Sequence, residues 1–409
     1  MRIIYLHQYF KTPDQAGGTR SYEMARRLVK SGHEVHLITS WTEDSVHKTW
    51  YTQVIDGIQI HWLPVKYSNK MGFLARLRAF ISFAMGAALR ASKLKADVVF
   101  ATSTPLTIAL PGIYAAYRSD CPLIFEVRDL WPDVPIAMGI LKNTWLIRFA
   151  QFLERTAYRK SAHVVALSDG MARGVIAAGT APEKVSVIPN SADLELFDPE
   201  TVLSGEFRAS HPELPVGPFI LYPGTLGQVN GVKYLVDVAC ALRGKGANVS
   251  FVVIGDGAER ESVRAYAATK NVLNNNFFMY DPIPKKNLVH AFKDASMVIS
   301  TVINNAALEA NSANKIFDGM AAGKSLAINH AGWQKDLIEN YNLGLALPRD
   351  AQLAADKITD FFADTVQVKE CGRRARAVAE SQFSRDDLAR RLERVISDAV
   401  YASGNKKNA

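Results

Sequence analysis

The chain has 409 residues, of which 48% are apolar and 22% are charged. This is the composition of a globular protein long enough for two or three domains, and it excludes a disordered chain, a fibrous repeat and a small disulfide-stapled domain. The formal net charge of +8 favours anionic partners such as a nucleotide, an anionic lipid or a nucleic acid. No apolar run reaches the roughly 18 residues of a bilayer-spanning helix, and no secretory signal is expected.

The first half of the chain alternates short apolar segments with glycine turns and amphipathic segments. A strand is predicted at residues 2–6, followed by a loop with Gly17 and Gly18, a helix at about 19–30 and a second strand at 34–39. This order predicts a βαβ unit, and such units build parallel sheets. Further buried strands are predicted at 97–101, 123–127, 163–167 and 185–189.

The same alternation begins again after residues 190–200, which are rich in turn-forming residues and have no clear periodicity. We interpret this segment as a linker between a first domain, residues 1–195, and a second domain, residues 200–384. The predicted fold class is α/β, with two Rossmann-like, doubly wound domains facing each other across a cleft. Strands of the second domain are predicted at 219–222, 249–254, 276–279, 297–301 and 325–328.

Residues 312–328, which read S-A-N-K-I-F-D-G-M-A-A-G-K-S-L-A-I, predict a capped helix followed by a short strand. Asn314 and Lys315 lie at the start of that helix, where free N–H groups and the helix dipole favour a diphosphate. Asp318 lies one turn further on, where its carboxylate can accept hydrogen bonds from a ribose. The alternative is an ordinary capped helix packed on a sheet, and these residues alone do not separate the two interpretations.

Glycine turns follow several predicted strands, at the edge of a parallel sheet where ligands bind. None of them matches G-x-G-x-x-G, which disfavours an oxidoreductase or epimerase that binds a dinucleotide. A P-loop is not predicted either, because A-A-G-K-S at 321–325 lacks the first glycine of that motif and follows a helix. The turns contain Gly17, Gly18, Gly224, Gly255 and Gly257.

Five motifs occur in an order that is specific for one family. They are G-G-T-R-S-Y-E-M-A-R-R-L-V-K-S-G-H-E-V-H-L-I-T at 17–39, F-E-V-R-D-L-W-P-D at 125–133, V-I-P-N-S-A-D-L-E-L-F at 187–197, V-I-G-D-G-A-E-R at 253–260 and D-G-M-A-A-G-K-S at 318–325. With them nearly the whole chain resembles glycosyltransferase family 4, retaining enzymes of the GT-B fold that use nucleotide sugars, and in particular its bacterial surface-polysaccharide branch. The resemblance implies that the first domain binds the acceptor, that the second binds the donor, and that a helix at about 385–401 packs back on the first domain.

Two departures from the family pattern bear on the site. The family often has two acidic residues eight positions apart, whereas this chain has Ala310 at the first position and the shorter Asp318 at the second. The family also often carries Arg and Lys after the first strand of the second domain, where this chain has Thr225 and Asn230. The charge that neutralises a diphosphate must then come from elsewhere. The candidates are Lys315 first, then Arg128 and Arg260.

Arg128 and Asp129 fall where many relatives carry a histidine that contacts the donor sugar, and with Lys315 they are the predicted catalytic residues. The alternative for Arg128 and Asp129 is a surface ion pair at a strand end. His7 follows the first strand and is expected to point toward the cleft, although a lone histidine is more often a structural hydrogen-bonding group. The residues predicted to bind substrate are His7, Gly17, Gly18, Gly224, Thr225, Asn230, Gly255, Arg260, Asn314 and Asp318.

No metal and no organic cofactor is expected, and the UDP-sugar is a donor substrate. Family enzymes of this fold need no bound metal, and the chain has no D-x-D triplet. The three cysteines, Cys121, Cys240 and Cys371, are too far apart to indicate a metal site or a disulfide. Helix N-termini, backbone N–H groups and one or two cations are then expected to stabilise the leaving diphosphate.

Residues 66–96 contain seven Lys or Arg residues and no Asp or Glu, mixed with large apolar side chains. This mixture predicts a helix in the interface of an anionic membrane, and related enzymes often act on lipid-linked sugars at the inner leaflet. The alternative is a core helix with a solvated basic face. A nucleic-acid partner is not predicted, because no reader motif accompanies the charge.

The sequence therefore predicts a retaining glycosyltransferase, cytoplasmic and peripheral on the inner face of the cytoplasmic membrane. It would move a sugar, with an N-acetylated deoxyhexosamine as the candidate from the family branch, from a UDP-sugar to a lipid-linked glycan acceptor in surface polysaccharide assembly. The rival is a catalytically silent GT-B protein that binds partners at the membrane. The residues at positions 225, 230 and 310 keep this rival open.

Overall fold

Two largely parallel sheets flanked by helices organise the computed structural model of the protein, which describes residues 1–68 and 71–408. The chain divides into two units. The first unit contains residues 1–12, 19–189 and those from Asp386 onward, and the second contains residues 13–18 and 190–385. The main crossing between them, after Pro189, falls within the motif at 187–197.

The first unit contains one eight-stranded sheet. Its strands are β1 (Arg2–Leu6), β2 (Glu34–Trp41), β3 (Tyr51–Ile55), β4 (Ile58–Pro64), β5 (Val98–Thr102), β6 (Leu123–Val127), β7 (His163–Ala166) and β8 (Val185–Val187). They lie in the order β3-β4-β2-β1-β5-β6-β7-β8, and only β3 runs antiparallel to its neighbour. The chain order reverses between β1 and β5, so the switch point of this doubly wound sheet lies at the carboxyl ends of these two strands.

Helices cover both faces of the first sheet. They are α1 (Arg20–Lys30), α2 (Phe73–Ala91), α3 (Ala109–Ser119), α4 (Asp133–Ala137), α5 (Thr144–Lys160), α6 (Asp169–Ala177) and, at the end of the chain, α15 (Arg385–Asn408). Alternate residues of β1 serve the two faces, because strand side chains point to opposite sides. Ile3 and Tyr5 pack in the core that contains Leu388 of α15, whereas Ile4 packs in the core that contains Phe83 of α2.

The second unit contains a six-stranded sheet in which all neighbours are parallel. Its strands are β9 (Phe219–Pro223), β10 (Ser250–Ile254), β11 (Phe277–Tyr280), β12 (Met297–Ser300), β13 (Ser325–Ile328) and β14 (Gly344–Ala346). The order is β11-β10-β9-β12-β13-β14, which places the switch point between β9 and β12. Its helices are α7 (Glu206–Ser210), α8 (Lys233–Gly244), α9 (Arg260–Thr269), α10 (Lys285–Asp294), α11 (Asn314–Ala321), α12 (Trp333–Asn340), α13 (Ala351–Ala363) and α14 (Thr365–Gln382).

The α/β prediction is confirmed, and the predicted strands agree with the observed ones to within two residues at each end. The hairpin of β3 and β4 and the short strand β14 were not predicted from the sequence. A usable signal was present at the hairpin, since Asp56 and Gly57 have φ values of 48° and 78° and this residue pair favours a two-residue hairpin turn. The helix predicted at 385–401 begins as expected and continues to Asn408.

Candidate functional site

The turns after β9 and β10 approach each other so closely that both need glycine. Gly224 has a φ of 140°, a conformation that favours glycine. A Cβ atom on Gly255 would lie 1.9 Å from the carbonyl oxygen of Gly224, and one on Gly257 would lie 2.4 Å from that of Leu226. Backbone contact therefore explains the predicted glycines at 224 and 255, and it leaves bare backbone at the switch-point edge of the second sheet.

Lys315 lies in the first turn of α11, and its ammonium reaches the turn after β9. A Cβ atom on Gly224 would lie 3.4 Å from Lys315 Nζ, and Nζ lies 3.7 Å from the centre of the Tyr222 ring, a cation–π contact. Water reaches part of the residue, but protein surrounds the ammonium, and this burial lowers the pKa of Lys315 to about 7. No carboxylate in the described part of the chain forms an ion pair with it. Such an ammonium at a helix N-terminus is suited to an anion.

The segment after β13 adds polar groups that the sequence analysis missed. His330 is 6% exposed, and its Nδ1 lies 2.8 Å from the carbonyl oxygen of Ala331. Nδ1 therefore carries the proton, and Nε2 is an acceptor that has no partner among the described residues. Burial, with the charges of Arg349 and Lys315, lowers the pKa of His330 to about 4, so the ring is neutral. The signal that could have found it is a polar pair, Asn329 and His330, directly after a buried strand.

Asp318, predicted to contact a ribose, is paired within the protein. Its Oδ1 accepts a hydrogen bond from Lys285 Nζ at 2.9 Å, and both residues are 7% exposed. Lys285 is the first residue of α10, 33 positions earlier in the chain, and it was not among the predicted site residues. The carboxylate of Asp318 is therefore neutralised internally, and contact with a ribose stays a prediction.

Three other predicted residues of the second unit also have partners in the protein. Arg260, at the start of α9, forms an ion pair with Asp281 after β11, so part of its charge is already offset. Asn230 accepts a hydrogen bond from the backbone N–H of Gly227 at 3.3 Å and caps a short turn. Thr225 is exposed, and its carbonyl oxygen accepts from Tyr222 at 2.9 Å. These contacts leave Lys315 as the leading cation of the site.

The glycine loop of the first half belongs to the second unit. Residues 13–18 group with that unit, and a Cβ atom on Gly18 would lie 3.3 Å from Asn314 Nδ2. Gly17 has a φ of 134°, which favours glycine. Gly17, Gly18 and Asn314, all predicted to bind substrate, therefore meet at the N-terminus of α11, which the sequence could not show because almost 300 residues separate them.

The first unit has its own polar cluster at its switch point. His7 follows β1 and is 4% exposed, and Arg128 Nη1 donates to His7 Nε2 at 3.2 Å. Burial, with the charge of Arg128, holds the pKa of His7 well below its ordinary value. The imidazole is therefore neutral, with its proton on Nδ1, and Nδ1 has no partner within residues 1–68 and 71–408. A buried donor of this kind is available to a ligand.

Arg128 and Asp129 do not pair with each other in the described part of the chain; each is held by the turn after β5. The backbone N–H of Arg128 donates to Ser103 Oγ at 2.9 Å, and Thr104 Oγ1 donates to an Asp129 carboxylate oxygen at 3.1 Å. The alternative of a surface ion pair is therefore not observed. Ser103 and Thr104 were missed, although a polar S-T-P turn after a buried strand is a recognisable signal.

A buried ion pair next to this cluster holds it in position. Arg20 donates to Glu126 on β6 at 2.8 Å, and both side chains are almost fully buried. Arg20 also donates to the carbonyl oxygens of Ile188 and Pro189. The start of α1, the end of β6 and the segment after β8 are thereby fixed together, which holds the residues that follow β6 in place.

These features define an α/β protein of two doubly wound units, with a candidate anion site at the switch point of the second. Comparison with known proteins agrees. A family profile described as Glycosyl transferase 4-like domain matches residues 16–191, and one described as Glycosyl transferases group 1 matches residues 205–378. The chain belongs to glycosyltransferase family 4 and has the GT-B fold.

Individual relatives support the same assignment. WcaI of Escherichia coli strain K12, named as a glycosyl transferase of colanic acid biosynthesis, is 24% identical over 301 residues, covering 69% of this chain and 73% of WcaI. A sucrose-phosphate synthase from Thermosynechococcus elongatus has a TM-score of 0.79 at 14% identity, covering 98% of this chain and 99% of that one. HepE of Anabaena in complex with UDP-glucose has a TM-score of 0.70 at 17% identity, covering 97% and 100%. At these identities the solved structures define the fold.

Proposed function

We propose that the protein is a retaining glycosyltransferase that transfers a sugar from a UDP-sugar to a lipid-linked glycan. The donor half of this proposal rests on Lys315, whose ammonium has no counterion among the described residues and lies at the N-terminus of α11 beside Gly224. Uridine as the base is supported by the complex of HepE with UDP-glucose. In this proposal the second unit binds the donor.

The chemistry requires few protein groups. When the bond between the sugar and the diphosphate breaks, negative charge develops on the departing phosphate, and fixed positive groups stabilise it. Lys315 and the backbone N–H groups at the start of α11 fill this role without a metal or another cofactor. For retention, the acceptor hydroxyl attacks the face that the diphosphate leaves, and a phosphate oxygen takes its proton, so no carboxylate nucleophile is needed. In this proposal, His330 Nε2 accepts a hydrogen bond from a hydroxyl group of the donor sugar.

The first unit, in this proposal, contributes the acceptor side. The cluster of His7, Arg128 and Asp129 offers a neutral donor, a guanidinium and a carboxylate at one sheet edge. The name of WcaI supports a surface polysaccharide as the product, with an N-acetylated deoxyhexosamine as the donor sugar to be tested first. If the protein binds no nucleotide, the alternative of a catalytically silent protein is favoured.

We also propose that the protein is cytoplasmic and peripheral on the inner face of the cytoplasmic membrane, through residues 66–96. Lys70 lies outside the described residues. Lys66 forms an exposed ion pair with Asp44, and Arg90 donates to His61 and Thr52, so both charges already have partners within the protein. The support comes instead from the large apolar side chains that α2 leaves exposed, namely Leu74, Ile81, Met85 and Leu89.

Titration with nucleotides tests the donor class. UDP without added metal is expected to raise the thermal stability of the protein, because a ligand at 100 times its Kd stabilises the folded state by about 2.7 kcal/mol. GDP and NAD serve as comparisons in the same buffer. Stabilisation by GDP alone would keep the enzyme and replace the donor, whereas stabilisation by NAD alone would overturn the proposal. Absence of any response would favour the silent protein.

The lowered pKa of Lys315 predicts that nucleotide binding takes up a proton. A bound diphosphate favours the ammonium, so the pKa of Lys315, about 7 in the free protein, rises in the complex. Affinity for a UDP-sugar is therefore expected to fall as pH increases above 7, toward tenfold per unit. Titration calorimetry in buffers of different ionisation enthalpy measures the uptake at pH 8. Lys315→Arg should bind without it; equal uptake by this variant would assign the proton to another group.

A further inference from the structure

Helix α5 has an exposed face that no other part of the described chain covers. Trp145, Phe149 and Phe152 are 76%, 61% and 63% exposed, and their spacing of four and three residues puts them in one stripe. Leu153, Ala157 and Tyr158 lie on the opposite side and are buried. A stripe of large exposed aromatic side chains is unusual on the surface of a soluble monomer and indicates an interaction site.

The apolar surface continues across two neighbouring helices. Helix α3 contacts both α5 and α2 and exposes Leu110, Tyr114 and Tyr117. An apolar groove of about 260 Å³ lies between α2 and α3, where Ile81, Met85 and Leu110 are among its lining residues. The three helices thus form one face, which we call the α2–α3–α5 face, and it carries more than half of the large apolar side chains that the described residues expose.

The charges of this face have one sign. Helices α2, α3 and α5 together contain a single carboxylate, Glu154, and it is buried. Arg148, Arg155 and Arg159 of α5 are exposed along the edge of the aromatic stripe. The remaining basic residues of the three helices are Arg76, Arg78, Arg90, Arg118 and Lys160.

We infer that the α2–α3–α5 face docks on an anionic lipid bilayer and that α5 is its principal anchor. This deepens the membrane part of the proposed function, on which it rests, by moving the main contact from residues 66–96 to α5. A helix with aromatic side chains on one side and arginines beside them fits the boundary between acyl chains and headgroups, where Trp and Tyr are enriched and basic side chains meet anionic lipid. No helix within the described residues is long and apolar enough to cross a membrane.

The charge pattern separates the bilayer from the other occupant of such a face. A second copy of this chain would bring the arginines of one face against those of the other without exposed carboxylates from the same helices to pair with them, and like charges across an interface oppose binding. A bilayer that contains phosphatidylglycerol supplies hydrocarbon for the aromatic stripe and anionic headgroups for the arginines. The bilayer therefore satisfies both features, whereas a symmetric dimer satisfies only the first.

Sedimentation of the full chain with vesicles tests the anchor. The protein is expected to bind vesicles of phosphatidylglycerol and phosphatidylethanolamine at least tenfold more tightly than vesicles of phosphatidylcholine. The triple variant Trp145→Ser, Phe149→Ser, Phe152→Ser should bind the anionic vesicles at least 100-fold more weakly than the parent. The matched control replaces three exposed apolar residues of the second unit, Leu203→Ser, Val216→Ser and Leu353→Ser, and should bind as the parent does. Arg148→Glu with Arg155→Glu should remove the preference for anionic vesicles.

Two results would overturn the inference. One is unchanged binding by the triple variant of α5 while Ile81→Ser with Met85→Ser abolishes it, which would return the contact to α2. The other is a dimer that the triple variant converts to a monomer without loss of vesicle binding, which would assign the face to a second copy. Quenching by brominated lipids gives a readout that does not depend on the folding of the triple variant. The lipids should quench the fluorescence of Trp145, so quenching should be weaker in the Trp145→Phe variant than in the parent. Equal quenching in the two proteins would count against the anchor.

This test is separate from that of the proposed function. Vesicle binding is measured without nucleotide, and UDP stabilisation is measured without lipid. The triple variant of α5 should keep its response to UDP, because α5 belongs to the first unit. A protein that binds UDP but no vesicle would remove only the membrane anchor, and a protein that binds vesicles but no nucleotide would remove only the enzyme.

Discussion

Replacement of Lys315 by alanine is expected to lower kcat by about 10²- to 10³-fold, the usual loss when one fixed group that stabilises transition-state charge is removed. The expectation follows from geometry, since the ammonium lies at the N-terminus of α11 and has no ion-pair partner in the described part of the chain. The fold should be unaffected or slightly stabilised, because the substitution removes a charge whose burial already lowers its pKa to about 7. Release of UDP from a UDP-sugar in the presence of membrane extract measures kcat.

Two further variants give this prediction its control. Lys270→Ala removes an exposed lysine at the end of α9, on the side of the sheet away from the switch point, and it should retain full activity. Lys315→Arg keeps the charge and should recover part of the loss. Full activity in Lys315→Ala, with unchanged thermal stability, would exclude Lys315 from the site and move the charge-stabilising role to Arg128 or Arg260.

Replacement of Asp318 by alanine is expected to destabilise the protein by about 3–5 kcal/mol, because it leaves the buried Lys285 ammonium without its partner. Both residues are 7% exposed and their charged atoms lie 2.9 Å apart. Urea unfolding followed by circular dichroism measures the loss. From sequence alone the same substitution would have been expected to weaken nucleotide binding and little else, so weak UDP binding by this variant does not by itself assign a ribose contact.

A double variant separates the two effects. Lys285→Met with Asp318→Leu replaces the buried pair by apolar side chains of similar volume, which is often neutral or stabilising. If Asp318 contacts the ribose, the double variant should be as stable as the parent and yet bind UDP more weakly, by tenfold or more for a lost hydrogen bond to a charged group. Parent-like UDP affinity in a stable double variant would give Asp318 a purely structural role.

Motifs that are contiguous in sequence were predictable, whereas contacts between distant segments were not. The motif at 312–328 gave the helix, its polar first turn and the position of Lys315, because capping and helix periodicity are local. The partner of Asp318 was not predictable. Lys285 is 33 residues away, and in the sequence it is simply one of two adjacent lysines at the start of a helix. His330 was missed because its burial, which leaves Nε2 without a partner in the part of the chain that the structure describes, is a property of the packed sheet edge.

The surface proposed to dock on a membrane shows the same division. Residues 66–96 were predicted to contact a membrane because basic and apolar residues are mixed in one segment. Helix α5 reads as an ordinary amphipathic helix, and only packing shows that its aromatic side faces solvent while Leu153 and Ala157 face the core. A sequence pattern identifies the two sides of a helix, but the neighbouring elements decide which side is buried.

The sequence by itself determined the fold class, the positions of most strands, the family and the segments that carry the candidate site, because period-2 and period-3.6 patterns, glycine turns and motif order are written along the chain. Tertiary structure alone decided which charges are free and which are paired. It brought Gly18 to Asn314, gave Asp318 to Lys285 and Arg260 to Asp281, and left Lys315 without a counterion among the described residues. The physical reason is that the state of a charge depends on burial and on neighbours a few ångströms away, and the fold sets both.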